Sequence, residues 1–251
     1  MEEKKELAEL GRAWMYEFDL GDGIKTRLLD EELRSIHRTR EVMIQEVIDR
    51  FFPSGLSGRR CLDVACNEGY FSHLLYHRGA IVKGIDIRED NIRRAKAVRE
   101  IRAFDAQRLE FERQDVFDVA DPADSYDLTL CLGLIYHLED PVGALRSIQR
   151  VTRRLCIVET QLTRQTQPIR TGWGHTGVTK DVEAGVAVFY EGDYQSNALA
   201  SYQCLSFVPN EAAVRLFLAA AGFREVSRVS PPPDANPQYL TGDRGVFAAV
   251  K

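Results

Sequence analysis

The most constraining stretch of this sequence runs from Arg60 to Ser72, where an apolar run meets an acid and then a turn of small residues. The turn carries Ala65, Asn67 and Gly69, and it is followed by the start of an amphipathic helix. Asn accepts a left-handed backbone almost as readily as Gly does. A turn with few bulky side chains lets backbone N–H groups approach a ligand, as in the nucleotide-binding turns of doubly wound sheets. The stretch therefore predicts a strand, a ligand-binding turn and a helix.

Three later apolar runs are predicted to form neighbouring strands of the same sheet. They occupy residues 80–86, 109–116 and 127–133. The first run ends in Asp86, and the second contains Asp115 near its end. A carboxylate at the tip of the second strand can accept two hydrogen bonds from a ribose diol. Each acid alone would also fit an ordinary loop or a helix cap, but their succession at strand ends favours one shared binding edge.

Strands and helices alternate along most of the chain, which predicts an α/β fold. Strands are predicted over residues 60–65, 81–86, 108–114, 126–132 and 154–160, and helices over 38–52, 69–78, 89–102, 141–150 and 210–221. Residues 223–230 and 244–250 are predicted to pair as a closing hairpin. Such alternation implies right-handed crossovers. The expected fold is a Rossmann-like, seven-stranded, mostly parallel sheet with an antiparallel C-terminal hairpin, helices on both faces and a lid insertion.

The turn and the acids that follow it resemble those of class I S-adenosylmethionine-dependent methyltransferases. In their D-x-G-x-G-x-G loop, two of the three glycines are replaced here. The resemblance covers residues 56–160 and implies S-adenosylmethionine as the cofactor, with Asp86 on the ribose and Asp115 on the adenine amino group. The cofactor-binding residues that it implies are Asp63, Ala65, Cys66, Asn67, Gly69, Asp86, Ile87, Asp115, Val116, Cys131 and Tyr136.

Composition narrows the expected surroundings and partners. No apolar stretch approaches the roughly 18 residues of a transmembrane helix, and the acidic N-terminus does not resemble a secretory signal. The five cysteines include no C-x-x-C pair, so we expect buried thiols in a reducing cytoplasm rather than disulfides or a metal site. The net charge of −5 argues against a nucleic-acid partner.

Four regions are expected along the chain. They are an N-terminal cap and helix (1–55), a cofactor-binding core (56–160), a substrate lid insertion (161–205) and a C-terminal helix with the antiparallel strands (206–251). The insertion has no clear periodicity, but its aromatic residues argue against disorder. We therefore predict that Trp173 and His175 line a substrate pocket.

Several segments are similar to one subgroup, the tRNA wobble-uridine carboxymethyltransferases and their small-molecule-acting relatives. They are GLIYHLEDP at 133–141, VET at 158–160, FVP at 207–209, AGF at 221–223 and RGVF at 244–247. This similarity implies that Tyr136 and Arg244 help to bind a carboxylated cofactor. Arg244 is equally a candidate for binding an anionic group of the substrate, or for pairing with a nearby acid. The insertion lacks the pattern of the tRNA enzymes, and this counts against an RNA substrate.

Two residues are candidates for acid–base chemistry. His137 follows the fourth strand, and a neutral imidazole can take a proton from a hydroxyl or an amine. Glu159 ends the fifth strand at the cofactor edge of the sheet. The alternatives are that His137 only shapes the pocket and that Glu159 caps a helix or forms a structural ion pair.

The predicted function is transfer of a methyl group from S-adenosylmethionine to an oxygen or nitrogen of a small or mid-sized metabolite by in-line displacement. One alternative is a tRNA wobble-uridine transferase that uses S-adenosylmethionine or carboxy-S-adenosylmethionine. A second is a non-catalytic protein that binds the cofactor. A dinucleotide-dependent dehydrogenase is disfavoured, because no Tyr-x-x-x-Lys follows the turn.

Overall fold

The computed structural model describes residues 1–9, 13–164, 169–173, 178–192 and 205–251, with backbone only at residues 9, 169–173 and 178–182. The helices are α1 (Glu2–Glu9), α2 (Glu32–Phe51), α3 (Tyr70–His77), α4 (Glu89–Ile101), α5 (Pro141–Val151), α6 (Glu211–Ala221) and α7 (Pro237–Leu240). The strands are β1 (Asp19–Gly21), β2 (Ile24–Lys25), β3 (Arg60–Val64), β4 (Ile81–Asp86), β5 (Leu109–Arg113), β6 (Tyr126–Leu132), β7 (Thr152–Gln161), β8 (Ile169–Trp173), β9 (Val178–Val182), β10 (Val186–Tyr190), β11 (Leu205–Pro209), β12 (Glu225–Val229) and β13 (Arg244–Val250). Short 3₁₀ helices cover Val116–Asp118 and Ile135–His137.

Seven strands form the central sheet in the order β12-β13-β7-β6-β3-β4-β5. Strands β3 to β7 are parallel, whereas β13 is antiparallel to both β7 and β12. The predicted Rossmann-like fold class is therefore confirmed. The chain passes from β5 at one edge to β6 on the other side of β3, so the strand order reverses between β3 and β6. Ligands of open α/β sheets bind at such a reversal, beyond the carboxyl ends of the strands.

Helices cover both faces of the sheet because alternate strand residues point to opposite faces. Cys61 belongs to the core on the side of α2, α3 and α4. Leu62 and Val64 belong to the core on the side of α5 and α6. Strands that are buried on both faces have nearly continuous apolar sequences, and for this reason the sequence predicts their positions.

Helix α2 starts earlier than predicted and buries polar side chains in addition to apolar ones. It begins at Glu32 rather than at residue 38, and it buries Met43, Val47 and Ile48. Its first half also buries the polar residues His37, Thr39 and Arg40. An apolar stripe cannot reveal a face that is buried through polar groups.

The insertion contains β-structure that its sequence did not predict. Strand β8 pairs with β9, and β10 pairs with β11, both in antiparallel two-stranded ribbons. The side chains of β10 are largely exposed, so the strand has no buried face to impose an alternating pattern. The role of this region as a lid stays a prediction.

The described ranges contain no helix with the length and apolar character needed to cross a membrane. Within the same ranges, no three His, Cys, Asp or Glu side chains come together in a group able to hold a metal ion. In α3, His73 packs edge-on against the rings of Phe18, Phe104 and Phe111.

Candidate active site

The turn after β3 owes its shape to three residues with a left-handed backbone. Ala65, Asn67 and Gly69 have φ values of 55°, 52° and 84°. A Cβ at Gly69 would lie 2.7 Å from the ring of Phe111. The positive φ favours glycine, and the close contact requires it. Gly69 is thus the residue that lets α3 start directly beside the sheet.

Asp63, in β3, stabilises this turn through a hydrogen bond to α3. It is buried, and its carboxylate accepts a hydrogen bond of 2.6 Å from the Ser72 hydroxyl in α3. Burial raises the pKa of Asp63 to about 7, although the Ser72 hydrogen bond lowers it. Asp63 is not part of the cavity wall, so it acts here on the shape of the turn.

Asp86, at the end of β4, stabilises the same turn through a hydrogen bond to its backbone. Its carboxylate accepts hydrogen bonds from the backbone N–H of Asn67 at 2.9 Å and of Arg88 at 2.8 Å, and from the Asn91 amide at 3.2 Å. Burial raises its pKa, and these hydrogen bonds partly offset that effect. A carboxylate has about four lone-pair positions, so Asp86 keeps capacity for a ligand.

The end of β5 supplies a second acid. Asp115 accepts a hydrogen bond of 3.1 Å from the N–H of Phe117, which caps the short helix Val116–Asp118. Gln114 lies beside it, and its buried Oε1 has no hydrogen-bond partner in the described part of the chain. The same holds for Oδ1 of Asn67. Both residues line the cavity, so these acceptors are available to donors of a ligand.

The turn and the strand ends surround a cavity of about 390 Å³, within the usual size range of small-molecule sites. Of the residues predicted to bind cofactor, substrate or protons, the cavity wall includes Ala65, Asn67, Asp86, Ile87, Asp115, Val116, Tyr136, His137 and Arg244. Asp63, Cys66, Gly69, Cys131 and Glu159 lie outside the wall. Trp173 is described only by its backbone, and His175 lies outside the described residues.

Glu159 lies at the centre of a buried ionic cluster. Its carboxylate is 3.1 Å from a guanidinium nitrogen of Arg40 and 3.0 Å from one of Arg244, and it accepts 2.9 Å from the hydroxyl of Tyr239. Burial raises the pKa of Glu159, but the two arginines outweigh it and the net pKa is lowered. Glu159 is therefore an anion that holds Arg40 and Arg244 in place.

The N-terminal segment closes one side of the cavity. Met15 and Tyr16 belong to the wall. Their backbone N–H groups donate to the buried carboxylate of Glu68 at 2.9 and 3.3 Å. Arg94 of α4 contacts the same carboxylate at 3.2 Å and lies over the ring of Trp14. Glu68 thereby fastens the segment to the turn after β3.

His137 faces a residue of the insertion. Its Nδ1 lies 2.8 Å from the carboxylate of Glu191, and its ring packs 4.1 Å from that of Tyr136. Burial lowers the pKa of His137, and this effect exceeds the opposing one of Glu191. The imidazole is therefore neutral at neutral pH and can accept a proton.

Met15, Tyr16, Arg40 and Glu191 are among the wall residues that sequence reasoning missed. Met15 and Tyr16 were placed only in the N-terminal cap region, residues 1–55, and not in the site. Arg40 and Glu191 carry no local signal, since a single charged residue in a helix or loop usually faces solvent.

Comparison with known proteins agrees with this geometry. The sequence profile of the family described as "Methyltransferase domain" matches residues 36–228. A ubiquinone biosynthesis O-methyltransferase of Aeromonas salmonicida (strain A449) is 28% identical over 127 residues, which are 50% of this chain and 51% of the relative. The chain thus matches about half the length of the curated relatives.

Two solved structures share the fold at low sequence identity. The N-terminal domain of EvdMO1, crystallised in the presence of SAH and D-fucose, is 21% identical with a TM-score of 0.65, covering 99% of this chain and 93% of that one. Magnesium protoporphyrin IX methyltransferase from Synechocystis PCC 6803, with bound SAM, is 18% identical with a TM-score of 0.59, covering 92% and 86%. The profile covers residues 36–228, and the turn after β3, the strand order and the cavity agree with it. The chain therefore belongs to the S-adenosylmethionine-dependent methyltransferase domain family.

Proposed function

We propose that this protein transfers the methyl group of S-adenosylmethionine to a hydroxyl oxygen, or to a nitrogen, of a small or mid-sized metabolite. The observation that carries the proposal is a single cavity that joins Asp86 and Asp115, at the ends of β4 and β5, to the neutral imidazole of His137. Acids at these strand ends suit an adenosine, and an imidazole suits removal of a proton from an acceptor.

The residues present fit the cofactor. Asp86 keeps one lone-pair position for a ribose hydroxyl, and the partnerless acceptors of Asn67 and Gln114 suit other donors of the nucleoside. Asp115 is assigned to the adenine amino group. Arg40 supplies a positive charge for the carboxylate of the methionine part.

The bound cofactor supplies a methyl group already activated by a sulfonium, so the protein has to align the acceptor and exclude water. The assigned role of His137 is to take the proton of an acceptor hydroxyl. The catalytic role predicted for Glu159 becomes a positioning role, because its carboxylate is buried between Arg40 and Arg244. Tyr136 packs against His137 and narrows the space around it.

A hydroxyl acceptor is the preferred choice. A protonated hydroxyl is a weak nucleophile near pH 7 and needs a base, whereas a neutral amine attacks without one. The matched relative from Aeromonas salmonicida is an O-methyltransferase by name, which supports the same choice. The size of the cavity favours a compact acceptor.

Binding and transfer test the proposal separately. Calorimetry should show binding of S-adenosylmethionine and S-adenosylhomocysteine but not of NAD. Methyl transfer from isotope-labelled S-adenosylmethionine to a panel of phenols, catechols and sugars should then identify an acceptor, and His137→Gln should lower kcat about a hundredfold or more. Tight NAD binding would refute the cofactor assignment. Cofactor binding without transfer to any acceptor class would support the non-catalytic alternative.

A second candidate uses carboxy-S-adenosylmethionine, as the resemblance to the wobble-uridine enzymes implies. It is favoured by Arg40 and Arg244, two guanidinium groups on the cavity wall that share the carboxylate of Glu159. If it is correct, carboxy-S-adenosylmethionine binds at least tenfold more tightly than S-adenosylmethionine, and Arg244→Gln removes that preference. Equal or weaker binding of the carboxylated cofactor supports the first proposal.

A further inference from the structure

His137 of the core and Glu191 of the insertion form a close contact in the cavity wall. Methyl transfer as such does not require this contact. Nδ1 of His137, in the short helix after β6, lies 2.8 Å from the carboxylate of Glu191, just after β10. The two residues are 54 positions apart in the sequence, and each side chain is mostly buried. Both line the cavity.

We propose that Glu191 is a positioning residue for the base, which holds His137 in the tautomer whose Nε2 carries the lone pair. An ionised carboxylate only accepts hydrogen bonds, so a neutral imidazole beside it must place its proton on Nδ1. Nε2 is then the basic nitrogen. The insertion thus completes a base that the core alone leaves with two competing tautomers. This inference rests on the proposed transfer to a hydroxyl group.

The charges around His137 make the contribution of Glu191 distinct. Arg244 of β13 and Arg88 after β4 both disfavour a second positive charge on the imidazole, and burial acts in the same direction. Glu191 opposes these effects. When the imidazole takes a proton from the acceptor, Glu191 stabilises the imidazolium that forms, as the acid of a His–carboxylate pair does.

Nitrogen-15 NMR of the histidine side chains tests the tautomer of His137 and needs no methyl-acceptor substrate. In the parent protein at pH 7.5, the His137 signal, assigned by its loss in His137→Gln, should show protonated Nδ1 and unprotonated Nε2. In Glu191→Leu that preference should be lost. The matched control is Glu183→Leu, which removes an exposed acid of the same insertion and should leave the signal unchanged. An unchanged tautomer in a folded Glu191→Leu variant refutes the inference.

The pH dependence supplies a second, independent readout. Glu191→Gln keeps a hydrogen-bond acceptor but removes the charge, so the pKa of His137 should fall by about 1 unit. With an acceptor found by the panel, the acidic limb of the kcat profile should move to lower pH by the same amount, and its plateau should fall about tenfold. The KM for S-adenosylmethionine should stay constant.

The two proposals fail in different ways. If the parent binds no S-adenosylmethionine, the proposed function is wrong whatever the tautomer. If the parent binds the cofactor and transfers methyl groups, but Glu191→Gln leaves the acidic limb and the plateau unchanged, only the role of Glu191 is wrong.

Discussion

Asp86 serves the turn and the proposed ligand with the same carboxylate, since it accepts two backbone hydrogen bonds and also lines the cavity. Each hydrogen bond to a charged group contributes about 1.5–3 kcal/mol. Asp86→Ala should therefore weaken S-adenosylhomocysteine binding by at least about tenfold in calorimetry. Glu110→Ala removes an exposed acid of β5 and is the matched control. Undiminished affinity in Asp86→Ala would show that the ribose assignment is wrong.

Asp63 makes stability depend on pH. Its pKa is raised by burial from 3.8 to about 7, so the folded state holds this proton where the unfolded state has lost it. The resulting stabilisation is complete below about pH 4 and is lost as the pH rises through about 7. Relative to the parent, Asp63→Asn should gain about 2–3 kcal/mol between pH 5 and pH 8 in urea unfolding. Parallel pH curves for the two proteins would contradict this.

At the scale of elements, the junction of β3 and α3 depends on Gly69. A side chain there meets the ring of Phe111, which lies in β5, and must also adopt a φ of 84°. Gly69→Val should therefore shift the start of α3 and abolish detectable cofactor binding in calorimetry, with the fold retained by circular dichroism. Gly58→Ala imposes a similar φ in open space away from the cavity, and it should bind normally. Normal cofactor binding by Gly69→Val would show that this turn is not part of the cofactor site.

The N-terminal segment is attached to the core through Glu68. Breaking a buried ion pair costs about 3–5 kcal/mol. Arg94 also has Asp90 at 3.3 Å, so Glu68→Leu should destabilise the fold by about 3 kcal/mol, at the lower end of that range. Hydrogen exchange at the amides of Met15 and Tyr16 should become faster than in the rest of the protein. Uniform exchange across the protein would mean that Glu68 does not anchor this segment.

At the scale of the whole molecule, charge separates the two acceptor classes. The chain has a net charge of −5, and its insertion carries four acids, Asp181, Glu183, Glu191 and Asp193, against Arg164, Arg170 and Lys180. A polyanion such as tRNA needs a positive surface, and its binding weakens steeply with salt. We expect no submicromolar tRNA binding by fluorescence anisotropy at salt concentrations from about 50 to 200 mM. Over this range, the affinity of a protein that contacts many phosphates falls steeply. Tight, salt-dependent binding would favour the wobble-uridine function.

The sequence alone determined the sheet, the turn after β3 and the acids at the ends of β4 and β5. These features follow from local signals, namely apolar strands buried on both faces, small residues in a turn and carboxylates directly after apolar runs. Because parallel strands end at one edge, Asp86, Asp115 and His137 could be placed around one site before any contact was known. The wall of the cavity contains all three.

Only the tertiary structure decided which charges meet. Arg40, Glu159 and Arg244 come from α2, β7 and β13, and Glu191 reaches His137 from the insertion. Burying a charge is favourable only beside a partner, and that partner stands far away in the chain. Neither periodicity nor spacing records such a pairing. The sequence therefore specified the scaffold and the edge that binds, whereas folding decided that Glu159 positions two arginines and that Glu191 faces His137.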